Sequence, residues 1–218
     1  MRFPPLRADR RRFLLALVAI GLPVLAHAQG TVDDFLVAVA NDRVDVVRAM
    51  LAKGVDPNVV GKDGHPALVT AAREGNARTV DALLAAGARV DARSSFGDTA
   101  LMMASLNGHL EVAKKLRAKG AAIDFPGWTP LIYAATGGHD EVVRWLLGEG
   151  AKIDAAAPNG TSALMMAARE GRFSTAELLI ARGADVNHRN QDGATALAWA
   201  ERNDDRMLVE RLKRAGAK

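Results

Sequence analysis

Cysteine is absent from the 218 residues. That excludes disulfides, thiolate metal sites, a cysteine nucleophile and a lipid-modified N-terminal cysteine. Familiar catalytic signatures are also missing: there is no phosphate-cradling G-x-x-x-x-G-K, no H-E-x-x-H and no nucleophile elbow. A true basic surplus is lacking too, although 29 Lys+Arg stand against 25 Asp+Glu. Residues 1–28 hold five arginines and one acid, and removing them leaves 24 side chains of each sign in the rest. Proteins that live on phosphate contacts carry their surplus in the folded part, so nucleic acid is not an expected partner. At 49% hydrophobic and 25% charged, the remainder has the composition of one globular domain.

The first 28 residues read as an address. Arg2, Arg7, Arg10, Arg11 and Arg12 precede an uncharged run from Phe13 to Ala26, and Ala26-His27-Ala28 stands before Gln29. These are the three parts of a secretory signal peptide, with cleavage expected between Ala28 and Gln29. The apolar run contains Gly21 and Pro23 and falls short of the roughly 20 residues that cross a bilayer, so no permanent membrane anchor is expected. Arg10-Arg11-Arg12-Phe13-Leu14 is similar to the twin-arginine export pattern, although Asp9 and Leu15 depart from it. The general export route and the twin-arginine route both remain open, and both lead from a bacterial cytoplasm to the periplasm.

Beyond the leader the chain is periodic. Glycines at 54, 87, 120, 150, 183 and 216 step by 33, except for one step of 30. Gly64, Gly97, Gly127, Gly160 and Gly193 keep the same phase, as do Gly75, Gly108, Gly138 and Gly171. The shared short step places a three-residue deletion between Gly120 and Gly127. Amphipathic runs such as Glu141-Val142-Val143-Arg144-Trp145-Leu146-Leu147 end at the first series, which suits a left-handed helix C-terminus. Dipeptides such as Asp63-Gly64 and Asn159-Gly160 suit tight turns. Each unit therefore reads as turn, helix, bend, helix, and a fixed period of this length marks a stacked-repeat architecture.

Thr129-Pro130-Leu131-Ile132-Tyr133-Ala134-Ala135, followed by Gly138-His139-Asp140-Glu141-Val142-Val143, resembles the ankyrin repeat family, as does Gly183-Ala184-Asp185-Val186-Asn187. The resemblance covers about residues 33–217 and implies an all-α ankyrin solenoid of about six helix–turn–helix units with short finger loops. The units fall near 31–62, 63–95, 96–124, 125–157, 158–190 and 191–218, within a repeat domain over 29–218. The family's histidine after Pro-Leu is replaced by Val69, Met102, Ile132, Met165 and Ala198, so apolar packing should replace histidine bonding between fingers. Helices of nine residues are marginal alone, and burial against the neighbouring unit must hold them. Columns of alanine at 71, 104, 134, 167 and 200 allow close approach, and Thr99, Thr129, Ser162 and Thr195 stand at N-cap positions.

Neither metal nor cofactor is expected. His109 and His139 share one repeat position, which favours a structural role at the start of the second helix over metal binding. Asp98 with Glu111, or Glu170 with Glu177, could be read as carboxylate pairs for a hydrolase. That chemistry would need convergence and a perturbed pKa, whereas solvated faces account for most such pairs. The resemblance implies instead a non-catalytic module that binds another protein on its concave side, through finger tips and the inner helix face. Phe96, Asp98, Leu106, Asn107, Phe125, Trp128, Tyr133, Arg169 and Glu170 are the candidate contact residues. Phe96, Phe125, Trp128 and Tyr133 are half of the eight aromatics beyond the leader, and aromatics inside a charged rim describe a binding hot spot. Phe125 and Trp128 could equally fold inward to fill the deletion. The partner role is open between an inhibitor or immunity-type protein and a protective or assembly factor for an exported redox enzyme. The chain is expected to be a monomer when free.

Overall fold

A computed structural model describes residues 31–218. The leader, with its expected cleavage between Ala28 and Gln29, lies outside the described residues. Helices come in pairs. The first helix of each pair is α1 (31–40), α3 (Ala67–Arg73), α5 (Ala100–Leu106), α7 (Pro130–Gly137), α9 (Ala163–Arg169) or α11 (Ala196–Arg202). The second is α2 (Val44–Ala52), α4 (Ala77–Ala85), α6 (Leu110–Ala118), α8 (Asp140–Gly148), α10 (Phe173–Ala181) or α12 (Arg206–Arg214). First helices pack on first helices and second on second, so the chain is a two-layered solenoid. Among the described residues there is no strand, only isolated bridges joining Val60 to Pro66 and Ala156 to Ser162 across the fingers.

Side chains explain why such short helices start where they do. Thr99, Thr129, Ser162 and Thr195 accept the backbone N–H groups of Met102, Ile132, Met165 and Ala198 at 3.3, 3.3, 3.4 and 3.2 Å. Each such cap contributes about 1 kcal/mol. The alanines at 71, 104, 134, 167 and 200 are fully buried, which brings the first helices together. The sharpest approach is at Gly137, where a methyl group would collide with the Leu106 carbonyl oxygen. Val69, Met102, Ile132 and Met165 are buried, as apolar packing at the missing-histidine position requires. Ala198, in the last described unit, is exposed.

Histidine bonding between fingers is nevertheless present from another position, since His188 Nε2 donates to the Gly160 carbonyl at 2.8 Å. His109 and His139 stand at the N-caps of α6 and α8, as their repeat position suggested, but their rings serve the unit before. Neither side chain caps its own helix. Instead each reaches back to the preceding unit, donating from Nε2 to the carbonyls of Arg73 (3.1 Å) and Leu106 (2.9 Å). Asn76 does the same to Val39 and Ala40, Arg172 to Thr136, and Asn203 to Ala168 and Arg169. The last carbonyls of a helix have no partner within it. Here the next unit supplies one, so every first helix from α1 to α9 is closed by its neighbour.

A second column of bonds locates the deletion. Asn58, Asp91, Asp154 and Asn187 accept backbone N–H groups from residues 31 positions onward, whereas Asp124 accepts from Lys152, 28 onward. The missing residues therefore come from the finger after Asp124. Buried residues form two cores, one from Phe35 to Ala121 and one from Leu131 to Leu212, with Ile123 and Trp145 packing against both.

Candidate functional site

Four of the five fingers are closed by a backbone bond: Gly61 N to His65 O, Ser94 N to Asp98 O, Ala157 N to Thr161 O and Asn190 N to Ala194 O, at 2.9 to 3.1 Å. No such bond spans residues 124–129 among the described residues. Neighbouring full fingers are also joined to each other, through Ser95 N to Gly64 O and Gln191 N to Asn159 O, both at 3.0 Å. The shortened finger interrupts this ladder. On its far side stands Pro158, the counterpart of Ser95 and Gln191, which has no N–H to give. Arginine takes over where the ladder stops. Arg93 donates to the Gly97 carbonyl and Arg189 to the Gly193 carbonyl, each at 2.9 Å. The finger row is thus divided while the helix rows beneath it continue, which leaves a notch.

Aromatic side chains gather there. Phe125 is half-buried and packs against the first core, with the Arg93 guanidinium 4.5 Å from its ring centroid. Trp128 occupies the position of Asp98 in the preceding finger, remains 37% exposed and meets Tyr133 of α7 edge-on at 6.0 Å between centroids. Tyr133 donates its hydroxyl to Asp98. Burial first, then that hydrogen bond and the carboxylate's charge, push its pKa well above the ordinary 10.0. Phe96 is 74% exposed, with the His65 ring 5.8 Å from its own. Phe125 therefore fills the deletion by turning inward, whereas Phe96 and Trp128 keep surface that neighbours do not cover.

The structure brings Phe96, Asp98, Phe125, Trp128 and Tyr133 into one region. Leu106 and Asn107 lie at the other end of α5 from the finger, where Asn107 donates to Met103 O at 2.9 Å and Leu106 O accepts from His139. Arg169 and Glu170 do not join the region. They pair with each other at 3.5 Å at the end of α9, with Arg169 also lying 5.5 Å from the Trp199 ring. Arg93 and Trp199 escaped the sequence reading. The shared repeat position of Arg93 and Arg189 was the available signal for the first. The acids proposed as catalytic pairs are engaged elsewhere: Asp98 by Tyr133, Glu111 by Lys115, Glu170 by Arg169 and Glu177 by Arg211. No group of three or more metal-ligating side chains occurs among the described residues, and no helix there is long and apolar enough to cross a membrane.

The family described as ankyrin repeats (3 copies) matches residues 35–126, 87–157, 123–190 and 149–218, most of the chain. The chain belongs to the ankyrin repeat family. A crystal structure of the human ASB11 ankyrin repeat domain is similar to it with a TM-score of 0.78 and 27% identity, over 84% of each chain. A comparison with curated proteins finds no match. Ankyrin repeats generally mediate protein–protein binding, and the fold is typically a non-catalytic scaffold. In this ankyrin array the departure from regularity is the shortened finger, and the uncovered aromatics lie at its edge.

Proposed function

We propose that this ankyrin protein is exported to the periplasm and binds another protein there, without catalysis, through the finger face around the notch. The observation that carries the reading is the exposure of Phe96 and Trp128 beside a gap in an otherwise bonded finger row. Large apolar groups left uncovered and ringed by polar side chains are the usual anchors of a protein interface. Charged pairs stand in the units on either side, Arg73 with Glu74 at the end of α3 and Arg169 with Glu170 at the end of α9. In the finer form of this proposal the partner is an enzyme that the ankyrin face blocks, as an inhibitor or immunity-type protein would. The arginine pair ahead of Phe13-Leu14 and the absence of cysteine support a second form, protection or assembly of an exported redox enzyme.

Affinity capture from a periplasmic extract, with the wild-type protein and a Phe96→Ala/Trp128→Ala double variant as baits, tests the reading. A protein retained by the first and lost by the folded second is the expected result. Equal retention by both removes the notch from the proposal. Peroxide sensitivity in a deletion strain, rather than sensitivity to a hydrolase, would select the second form.

A further inference from the structure

Asp98 is an acid at the notch without an ion-pair partner among the described residues. Its carboxylate accepts the Tyr133 hydroxyl and lies 3.4 Å from Ser94 Oγ, and no lysine or arginine among the described residues pairs with it. Cations of this and the preceding unit are engaged elsewhere. Arg93 is turned onto the Phe125 ring and the Gly97 carbonyl. Lys62 is held by Asp33 at 2.7 Å, and Arg73 by Glu74 at 2.9 Å. Asp63, in the neighbouring finger, likewise has no cationic partner among the described residues and accepts only the His65 N–H among backbone groups. Asp98 and Asp63 are therefore acids of this face without an ion-pair partner among the described residues, while Arg93 keeps its own charge on the Phe125 ring. Beside Asp98 stand the Trp128 ring, edge-on to Tyr133, and the exposed ring of Phe96 two residues away in the same finger.

A partly buried carboxylate flanked by aromatic rings has one chemical complement. An arginine or lysine side chain can lay its charged head against the carboxylate and over an indole, whose π face attracts cations. Its methylene stem can cover the remaining apolar surface. We propose that the notch receives a basic side chain of the partner, presented on an exposed segment, with Asp98 as its counter-ion, Trp128 as its wall and the exposed Phe96 as flanking apolar surface. This rests on the reading that the finger face is the docking surface, and it narrows the partner to one whose contact segment carries an arginine or lysine at its centre.

Selection of a random peptide library separates the two claims. The library is panned in parallel on the purified wild-type protein, on D98N and on the Phe96→Ala/Trp128→Ala double variant. The D98N side chain would keep an oxygen for the Tyr133 hydroxyl while losing the charge, and circular dichroism verifies that each variant is folded. The expected result is a family of peptides sharing an arginine or lysine at one aligned position. These should be held about tenfold less tightly by D98N, and replacing that residue by glutamine should weaken binding to the wild type but not further to D98N. Peptides that bind through apolar residues alone, or that hold to D98N as well as to the wild type, overturn the basic side chain and leave the docking face standing. Equal binding to the double variant, or no enrichment over it, overturns both.

Discussion

Tyr133 is the single tyrosine of the chain, so its ionisation can be followed by absorbance alone. Burial and the bond to Asp98 raise its pKa above the ordinary 10.0 in the folded state. Above that pH the unfolded chain loses the phenolic proton and the folded chain keeps it. Stability that is fully present below about pH 10 should therefore fall as pH rises further. The expected titration shows little phenolate near pH 10 while the helical signal persists, and D98N should shift the phenolate signal to lower pH. Phenolate appearing at the pH of free tyrosine in a folded protein would mean that the Tyr133–Asp98 contact does not form. Truncation should sort the aromatics. Phe96→Ala is expected to change stability by less than about 0.5 kcal/mol, as exposed positions do. Phe125→Ala should cost about 2 kcal/mol, roughly half the cost at a fully buried phenylalanine. Equal losses in urea denaturation would contradict their different placement.

At the scale of the element, most interest lies in how each helix is ended by its neighbour. His109→Ala should leave the Arg73 carbonyl unsatisfied and lower stability by about 1 kcal/mol, and His139→Ala should do the same at Leu106. Denaturation midpoints unchanged in both variants would show that water replaces the rings without loss. Gly87 ends α4 with φ +91°, and a Cβ there would meet no neighbouring atom. The expected damage from Gly87→Val is therefore backbone strain alone, about 1–3 kcal/mol, without any disturbed interface. Gly87→Asn should recover much of it, because asparagine tolerates the left-handed region. Asp42 and Asp204 already hold positive φ, at 50° and 53°, where the neighbouring units have glycine.

The pairing of helices, the caps at Thr99, Thr129, Ser162 and Thr195, and the alanine columns were legible because they obey a period. A residue repeated every 33 positions announces its own role. The partners of the His109 and His139 rings were not legible because they lie in the preceding unit, and local spacing says nothing of what a long side chain reaches. For the same reason the division of labour between Phe125 and Trp128 was open. Both follow the deletion, and only the packing shows that one turns inward while the other keeps an exposed edge. Asp98 was legible as a candidate by position, whereas its lack of a cation became visible only once Arg93 was seen on Phe125.

At the scale of the molecule, the array is continuous in its helix rows and divided in its fingers, with buried cores on either side of the shortened one. Stability of such a solenoid is close to a sum over neighbour interfaces, so the notch need not weaken the fold. It changes which side chains remain uncovered. The most direct test restores the finger, replacing Phe125-Pro126-Gly127-Trp128 by the longer segment Ala92 to Asp98 of the preceding unit. Partner capture from a periplasmic extract is then compared with that of the wild type, after circular dichroism has verified folding. A folded variant that no longer retains the partner is the expected result. A folded variant that retains it undiminished would contradict the claim that the gap and its aromatics form the docking surface.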